Sequence, residues 1–219
     1  MTGDPHAATE TLAAGADPGE ARAALVLLHG RGASAQSLAP LAEALLAGRD
    51  EPVAIRIPQA AGGAWYPQRF VEPRDANQPW LDSALARVDG LLDDLVAAGL
   101  SPERIVLGGF SQGACLSLDA FARRGGRLGG VIAYAGGLIG DTLAPERYAA
   151  DLAGTPVFIG SGDPDPHIPT GRVEESAALL RTLGAEVDAR LYPGIGHTVN
   201  EEELEIGRTM IAEVLDAGA

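Results

Sequence analysis

The sequence predicts an α/β fold, a mostly parallel sheet with helices on both faces and no large lid domain. Three observations carry this reading. Short, uninterrupted apolar runs such as Ala23-Ala24-Leu25-Val26-Leu27-Leu28 alternate along the chain with stretches of helical periodicity. A strand that is apolar at every position is buried on both faces, the condition of parallel strands inside a two-sided coat of helices. The 219 residues are 46% hydrophobic and 21% charged, which suits one globular domain with a sizeable core.

Taken in order, residues 1–20 read as an edge segment and 21–219 as a single domain, with an antiparallel hairpin expected over Thr9 to Arg22. The first buried strand, Ala23 to Leu28, ends in His29-Gly30-Arg31-Gly32. Ser34 or Ser37 can cap a helix whose Leu38, Leu41 and Leu45 share one face, closed by Gly48. Val53 to Ile57 is the next strand, and Pro58 to Pro79 is the longest irregular connection. A helix from Asp82 to Ala98 aligns Leu85, Val88, Leu92 and Leu95 as a core-facing stripe. The alternation continues with the strand Ile105 to Leu107, the helix Gln112 to Arg124, and the strands Gly130 to Ala135 and Pro156 to Gly160. It closes with the helix Thr170 to Leu183, the strand Val187 to Tyr192 and the helix Asn200 to Leu215. In that last helix Glu201, Glu202 and Glu203 fill the first turn, where carboxylates complement the dipole. The segment from Gly136 to Thr155 is too short for a lid domain.

Charge and composition exclude several classes of function. A net charge of −14 opposes binding to nucleic acid or anionic membrane surfaces. No apolar run approaches the roughly 20 residues that a membrane-spanning helix needs. Every Lys/Arg-type residue is arginine, so Schiff-base lysines, Ser-Lys dyads and P-loops are ruled out. Cys115 is the single cysteine and has no partner for an internal disulfide. The first twenty residues lack the basic start and apolar core of a secretory signal, so a cytoplasmic location is expected.

The chemistry centres on Gly109-Phe110-Ser111-Gln112-Gly113, which follows a strand and precedes a helix. A nucleophile on so tight a turn needs small residues two positions to either side, and glycines stand there. A serine nucleophile needs a base, and the base needs an orienting acid. Candidates follow two later strands in the order acid, then histidine: Asp163 and Asp165, then His197. Residues just past the carboxyl ends of parallel strands converge on one rim of the sheet. Of the four histidines, His6 falls in a segment expected to be loose, and His29 is expected to hold a loop. His167 stands too close in sequence to Asp165 to be oriented by it, which leaves His197. A metal site at Asp163, Asp165 and His167 is disfavoured, because Pro164 and Pro166 stiffen the run and imidazole is scarce.

The motifs Leu28-His29-Gly30-Arg31-Gly32, Gly109-Phe110-Ser111-Gln112-Gly113-Ala114, Asp165-Pro166-His167-Ile168-Pro169 and Gly196-His197 resemble the phospholipase/carboxylesterase branch of the α/β-hydrolases. That branch includes the acyl-protein thioesterases. The resemblance runs from about Ala23 to the C-terminus. It implies Ser111 as nucleophile, Asp165 as the acid and His197 as the base, with the backbone amides of Arg31 and Gln112 as oxyanion hole. An amide just after the nucleophile also opens a helix, where negative charge is favoured. Arg31 departs from the apolar residue that many members carry after His-Gly, and the stretch from Trp65 to Trp80 differs from the thioesterases.

The combined reading is a serine carboxylesterase that cleaves small acyl esters or thioesters through an acyl-enzyme. A protein S-deacylase and a non-catalytic, ligand-binding hydrolase fold are the alternatives. No cofactor and no metal are expected. The expected partner is a small acyl ester or thioester, with neither nucleic acid nor stable membrane insertion, and a homodimer is compatible with the sequence. Trp65, Tyr66, Phe70 and Trp80 concentrate the scarce aromatic residues in the longest loop and are the expected substrate wall. With no lid, the site should be open and suited to short or medium acyl chains.

Overall fold

The computed structural model describes residues 4–217. Among them, β1 (Thr11–Gly15), β2 (Ala23–Leu28), β3 (Val53–Pro58), β4 (Ile105–Phe110), β5 (Gly130–Tyr134), β6 (Pro156–Asp163) and β7 (Glu186–Pro193) form one sheet in the order β1-β3-β2-β4-β5-β6-β7. Every neighbouring pair is parallel except β1 with β3. The helices are α1 (Ala39–Leu45), α2 (Trp80–Ala97), α3 (Gln112–Arg124), α4 (Thr170–Thr182) and α5 (Glu201–Asp216). This is the α/β-hydrolase architecture, without a large lid insertion among the described residues.

The alternation of side chains along β2 shows why its run is apolar throughout. Ala24, Val26 and Leu28 join the core beneath α2, α3 and α4. Ala23, Leu25 and Leu27 join a second core beneath α1 and α5. A pleated strand sends successive side chains to opposite faces, so both sets must be apolar when both faces are covered.

Several boundaries differ from expectation. β4 and β6 run on through Gly108-Gly109-Phe110 and Ser161-Gly162-Asp163, because these glycines stay in the ladder with β5 and β7. α2 begins at Trp80, just after Pro79, so Trp80 belongs to a helix rather than to the loop. The hairpin expected over Thr9 to Arg22 is not formed. Only Thr11–Gly15 is a strand, and its partner is β3, with Thr11 opposite Pro58 and Gly15 opposite Ala54. β1 completes the edge of the sheet beside β3, a pairing that sequence proximity does not choose. The first three residues of the expected edge segment lie outside the described residues, as do residues 218–219.

The N-terminal segment is anchored rather than loose, and His6 anchors it. Its side chain is completely buried. Its backbone N–H donates to Ser83 Oγ at 2.8 Å. Nδ1 accepts the Ala61 N–H at 3.0 Å, which leaves Nε2 protonated and donating to the Trp65 carbonyl at 3.0 Å. The ring packs against both tryptophans, with centroids 5.5 Å away in each case.

Burial pushes the His6 pKa below its ordinary 6.5, and the Trp65 carbonyl and Asp4 only partly oppose that shift. A depressed pKa means that the unfolded chain binds more protons, so this contribution is complete above pH 6.5 and is lost as pH falls through the lower folded value. His6→Ala should cost about 2 kcal/mol at pH 8, the scale of stranding buried polar groups. The gap to the parent should narrow at pH 5, where the parent must also protonate a buried imidazole. Urea unfolding of both proteins at the two pH values measures this, and an equal gap would contradict it.

Candidate active site

Ser111 joins β4 to α3 with φ 57° and ψ −119°, a conformation that residues with a Cβ rarely adopt. Neighbouring main chain holds it there. Its N–H donates to the Tyr134 carbonyl on β5 at 2.9 Å, and its carbonyl accepts the Cys115 N–H at 3.0 Å. The flanking glycines are needed for space. A Cβ on Gly109 would lie 2.6 Å from the Gly113 carbonyl carbon and 2.7 Å from the Leu28 oxygen. One on Gly113 would collide with the Leu28 carbonyl itself. The first turn of α3 therefore rests directly on the end of β2.

The structure brings Ser111, His197 and Asp165 together. His197 Nε2 lies 2.8 Å from Ser111 Oγ, and His197 Nδ1 lies 2.7 Å from Asp165 Oδ2. With the carboxylate ionised, Nδ1 carries the proton and Nε2 accepts from the serine hydroxyl. Asp165 Oδ1 accepts the N–H groups of His167 at 2.7 Å and Ile168 at 3.1 Å, which fixes the carboxylate plane. The Asp165 side chain has 0% exposure, whereas His197 keeps 19% and can still meet substrate and water. The imidazole is flanked by Phe110 at 4.9 Å and by the His167 ring at 4.8 Å.

Asp163 stands apart from this chain of contacts. Its residue is exposed, and its main-chain carbonyl accepts the Gly194 N–H at 2.8 Å. The backbone, rather than the carboxylate, closes the turn there. The segment carrying His197 crosses β6 at Gly162, where a Cβ would strike the Ile195 carbonyl. It then enters α5 through a reciprocal cap, with Asn200 N–H to Glu203 Oε2 at 2.8 Å and Glu203 N–H to Asn200 Oδ1 at 3.1 Å. Burial raises the Glu203 pKa, and the Asn200 N–H partly offsets it.

Arg31 and Gln112 flank Ser111 in the same pocket. Neither backbone N–H has a hydrogen-bond partner among the described residues. Their side chains, however, hold one segment between them. Gln112 Oε1 accepts the Trp65 N–H at 2.9 Å and its Nε2 donates to the Tyr66 carbonyl at 2.8 Å. The Arg31 guanidinium donates to the carbonyls of Tyr66 at 2.9 Å, Pro67 at 2.9 Å and Gln68 at 2.5 Å. His29, as expected, holds the adjoining loop by accepting the Ala60 N–H at 3.0 Å on Nε2.

The pocket beside Ser111 has a volume of about 340 Å³. Of the four aromatics expected to wall it, Tyr66 and Phe70 do so. Trp65 and Trp80 do not. Trp65 is fully buried and donates its indole N–H to the His29 carbonyl at 2.8 Å, and Trp80 packs against His6. Aromatic density in the loop reflected an anchor as well as a wall. Phe110, Cys115, Ile168, Arg69 and His167 also line it, together with Gly30 and Ala33, and were not anticipated as such. For Cys115 a signal existed, since it stands one helical turn beyond Ser111 and shares its face. Burial pushes the Cys115 thiol up to about 12, so it is a neutral piece of wall.

Residues 10–215 match the model of the family described as Phospholipase/Carboxylesterase. A phospholipase/carboxylesterase structure from Dyadobacter fermentans DSM 18053 superposes with a TM-score of 0.89 at 42% identity, covering 94% of this chain and 97% of that one. Acyl-protein thioesterase 1 of Gibberella zeae is 40% identical over 117 residues, 52% of this chain and 50% of the relative. Acyl-protein thioesterase 1 of Saccharomyces cerevisiae is 27% identical over 206 residues, 84% of this chain and 89% of the relative. In the first of these curated relatives the chain spans about half the length. The names in this group are those of esterases and thioesterases, hydrolases of acyl bonds. From its matched residues and its fold, the chain belongs to the Phospholipase/Carboxylesterase family of α/β-hydrolases.

Proposed function

We propose that this chain is a serine carboxylesterase that hydrolyses short-to-medium acyl esters or thioesters through an acyl-enzyme. The observation that carries the reading is the continuous hydrogen-bonded run from Asp165 through His197 to Ser111. Ser111 Oγ attacks the substrate carbonyl while His197 Nε2 takes its proton. Asp165 fixes the tautomer and stabilises the imidazolium that results. The oxyanion forms against the backbone N–H groups of Arg31 and Gln112, at the N-terminal end of α3 where the dipole favours negative charge. His197 then hands its proton to the leaving alcohol or thiol. Water, activated by the same imidazole, releases the acid. Thioesters remain within this reading because two of the relatives named above are acyl-protein thioesterases.

Ser111→Ala should lower ester turnover by about 10⁶ while leaving the melting temperature close to that of the parent. A fluorophosphonate probe should label the parent and fail to label the variant. Labelling that persists in Ser111→Ala would move the nucleophile elsewhere.

The two aspartates should separate cleanly. Asp165→Asn should depress kcat by about 10⁴ with a modest change in KM, because the imidazole loses its tautomer and its counter-charge. Asp163→Asn should leave both kinetics and stability nearly unchanged, since its exposed side chain makes no hydrogen bond among the described residues. Paired kinetics and melting curves on the two variants decide this, and the reverse ranking would overturn the role of Asp165.

The pocket volume of about 340 Å³ and the absence of a lid among the described residues favour short or medium acyl groups. Across p-nitrophenyl esters and thioesters of graded length, kcat/KM should peak below ten carbons and fall at least tenfold by sixteen. Equal rates at two and sixteen carbons would contradict it.

A further inference from the structure

The charge of the pocket is opposite to that of the protein. Thirty acidic residues outnumber sixteen basic ones, for a net charge of −14. Yet the lining beside Ser111 contains two arginines, Arg31 and Arg69, and neither aspartate nor glutamate, with the Asp165 carboxylate set behind His197. Six arginines pair with carboxylates among the described residues, for example Arg49 with Glu51 and Asp216, Arg190 with Asp188 and Glu202, and Arg208 with Glu201 and Glu205. Among the described residues, Arg31 and Arg69 are in no such pair.

Their positive charge is therefore not cancelled at the mouth of the site. Arg31 is fixed in place by three main-chain carbonyls, which orient the guanidinium but leave it cationic. Arg69 makes one long hydrogen bond, 3.4 Å to the carbonyl of His167, so most of its donors are open. The His167 ring in turn touches that of His197. The chain of neighbours from Arg69 to the reacting serine is thus two residues long. The same pocket is lined by the apolar surfaces of Phe70, Phe110 and Ile168, which suit methylene groups. A polar end that meets a cation, a short apolar passage and a scissile carbonyl describe a half-ester of a dicarboxylic acid, or an ester of a hydroxy acid. An exposed guanidinium also suits a carboxylate geometrically, since its planar fork matches two oxygens.

We propose that the pocket selects esters bearing a carboxylate a few carbons from the scissile carbonyl, with Arg69 receiving the anion and Arg31 adding to the local positive field. This rests on the serine-esterase reading of the same site and names its substrate class. A distant anion meets a protein of its own sign, and the cations at the mouth reverse that repulsion within the last Debye length, about 8 Å at physiological salt.

Two isosteric pairs test it. Monomethyl glutarate and methyl pentanoate differ only in a terminal carboxylate or methyl on the acyl side, and 4-acetoxybutanoate and butyl acetate differ in the same way on the alcohol side. The anionic member of at least one pair should show a kcat/KM about tenfold above its neutral counterpart at low salt. The pair that shows it identifies which side of the ester the anion occupies. The preference should shrink toward parity in 1 M salt, where the Debye length is about 3 Å. Arg69→Gln should lower the anionic-to-neutral ratio about fivefold. If that variant does not fold, the salt dependence of the parent still decides the matter. Neutral members equal to or better than anionic ones in both pairs would overturn the proposal, as would a preference indifferent to both salt and Arg69. Hydrolysis of the neutral esters, and its loss in Ser111→Ala, reads the serine-esterase assignment separately.

Discussion

The contact between Gly113 and the carbonyl of Leu28 governs the geometry of this molecule. It lets the first turn of α3 rest on the end of β2 with no side chain between them. Two consequences follow at once. The backbone of Ser111 is bent into a positive φ that the Tyr134 carbonyl and the Cys115 amide sustain, so the serine oxygen stands clear of the sheet. The chain leaving β2 and the chain entering α3 are also brought side by side, which sets Arg31 beside Gln112 at one pocket. Conformational strain of this kind costs on the order of 1–3 kcal/mol and persists only where surrounding packing over-determines it. Here the packing comes from β2, β4 and β5, all buried strands at the centre of the sheet.

How much of this could be read in the sequence depended on range. The Gly109–Gly113 motif was legible because its cause is local: strand, turn and helix lie within a few residues. The buried strands were legible because two-sided burial leaves no polar positions. β1 was only half legible, since nothing nearby says that its partner is β3. His6 was illegible for the same reason. Its partners Ala61, Trp65 and Ser83 are 55, 59 and 77 residues away. Chain order alone could not separate Asp163 from Asp165, and family resemblance favoured Asp165. The geometry shows the difference between them: the Asp165 carboxylate faces His197, and Asp163 contributes only a carbonyl to its turn.

The side chains of Arg31 and Gln112 give the site a mechanical unity that the motif does not announce. Together they make five hydrogen bonds to the main chain of residues 65–68. Tyr66, in that same segment, is a wall of the pocket. Behind Phe70, Arg74 pairs with the buried Asp119 of α3, which also accepts from the Tyr148 hydroxyl at 3.1 Å. Burial raises the Asp119 pKa, and the Arg74 guanidinium opposes that shift. The pocket wall is thereby tied to α3 at both ends. A substitution that widens the pocket will also loosen the frame on which the amides of Arg31 and Gln112 are held.

The N-terminal anchor has a spectroscopic consequence. The chain has two tryptophans, and both pack against the imidazole of His6. Neither lines the pocket beside Ser111. Intrinsic tryptophan emission from this protein therefore originates at a single place, where the N-terminal segment meets the start of α2 and the turn before Tyr66. It is a reporter of whether that segment is seated, and not a direct probe of the pocket beside Ser111, which neither indole lines.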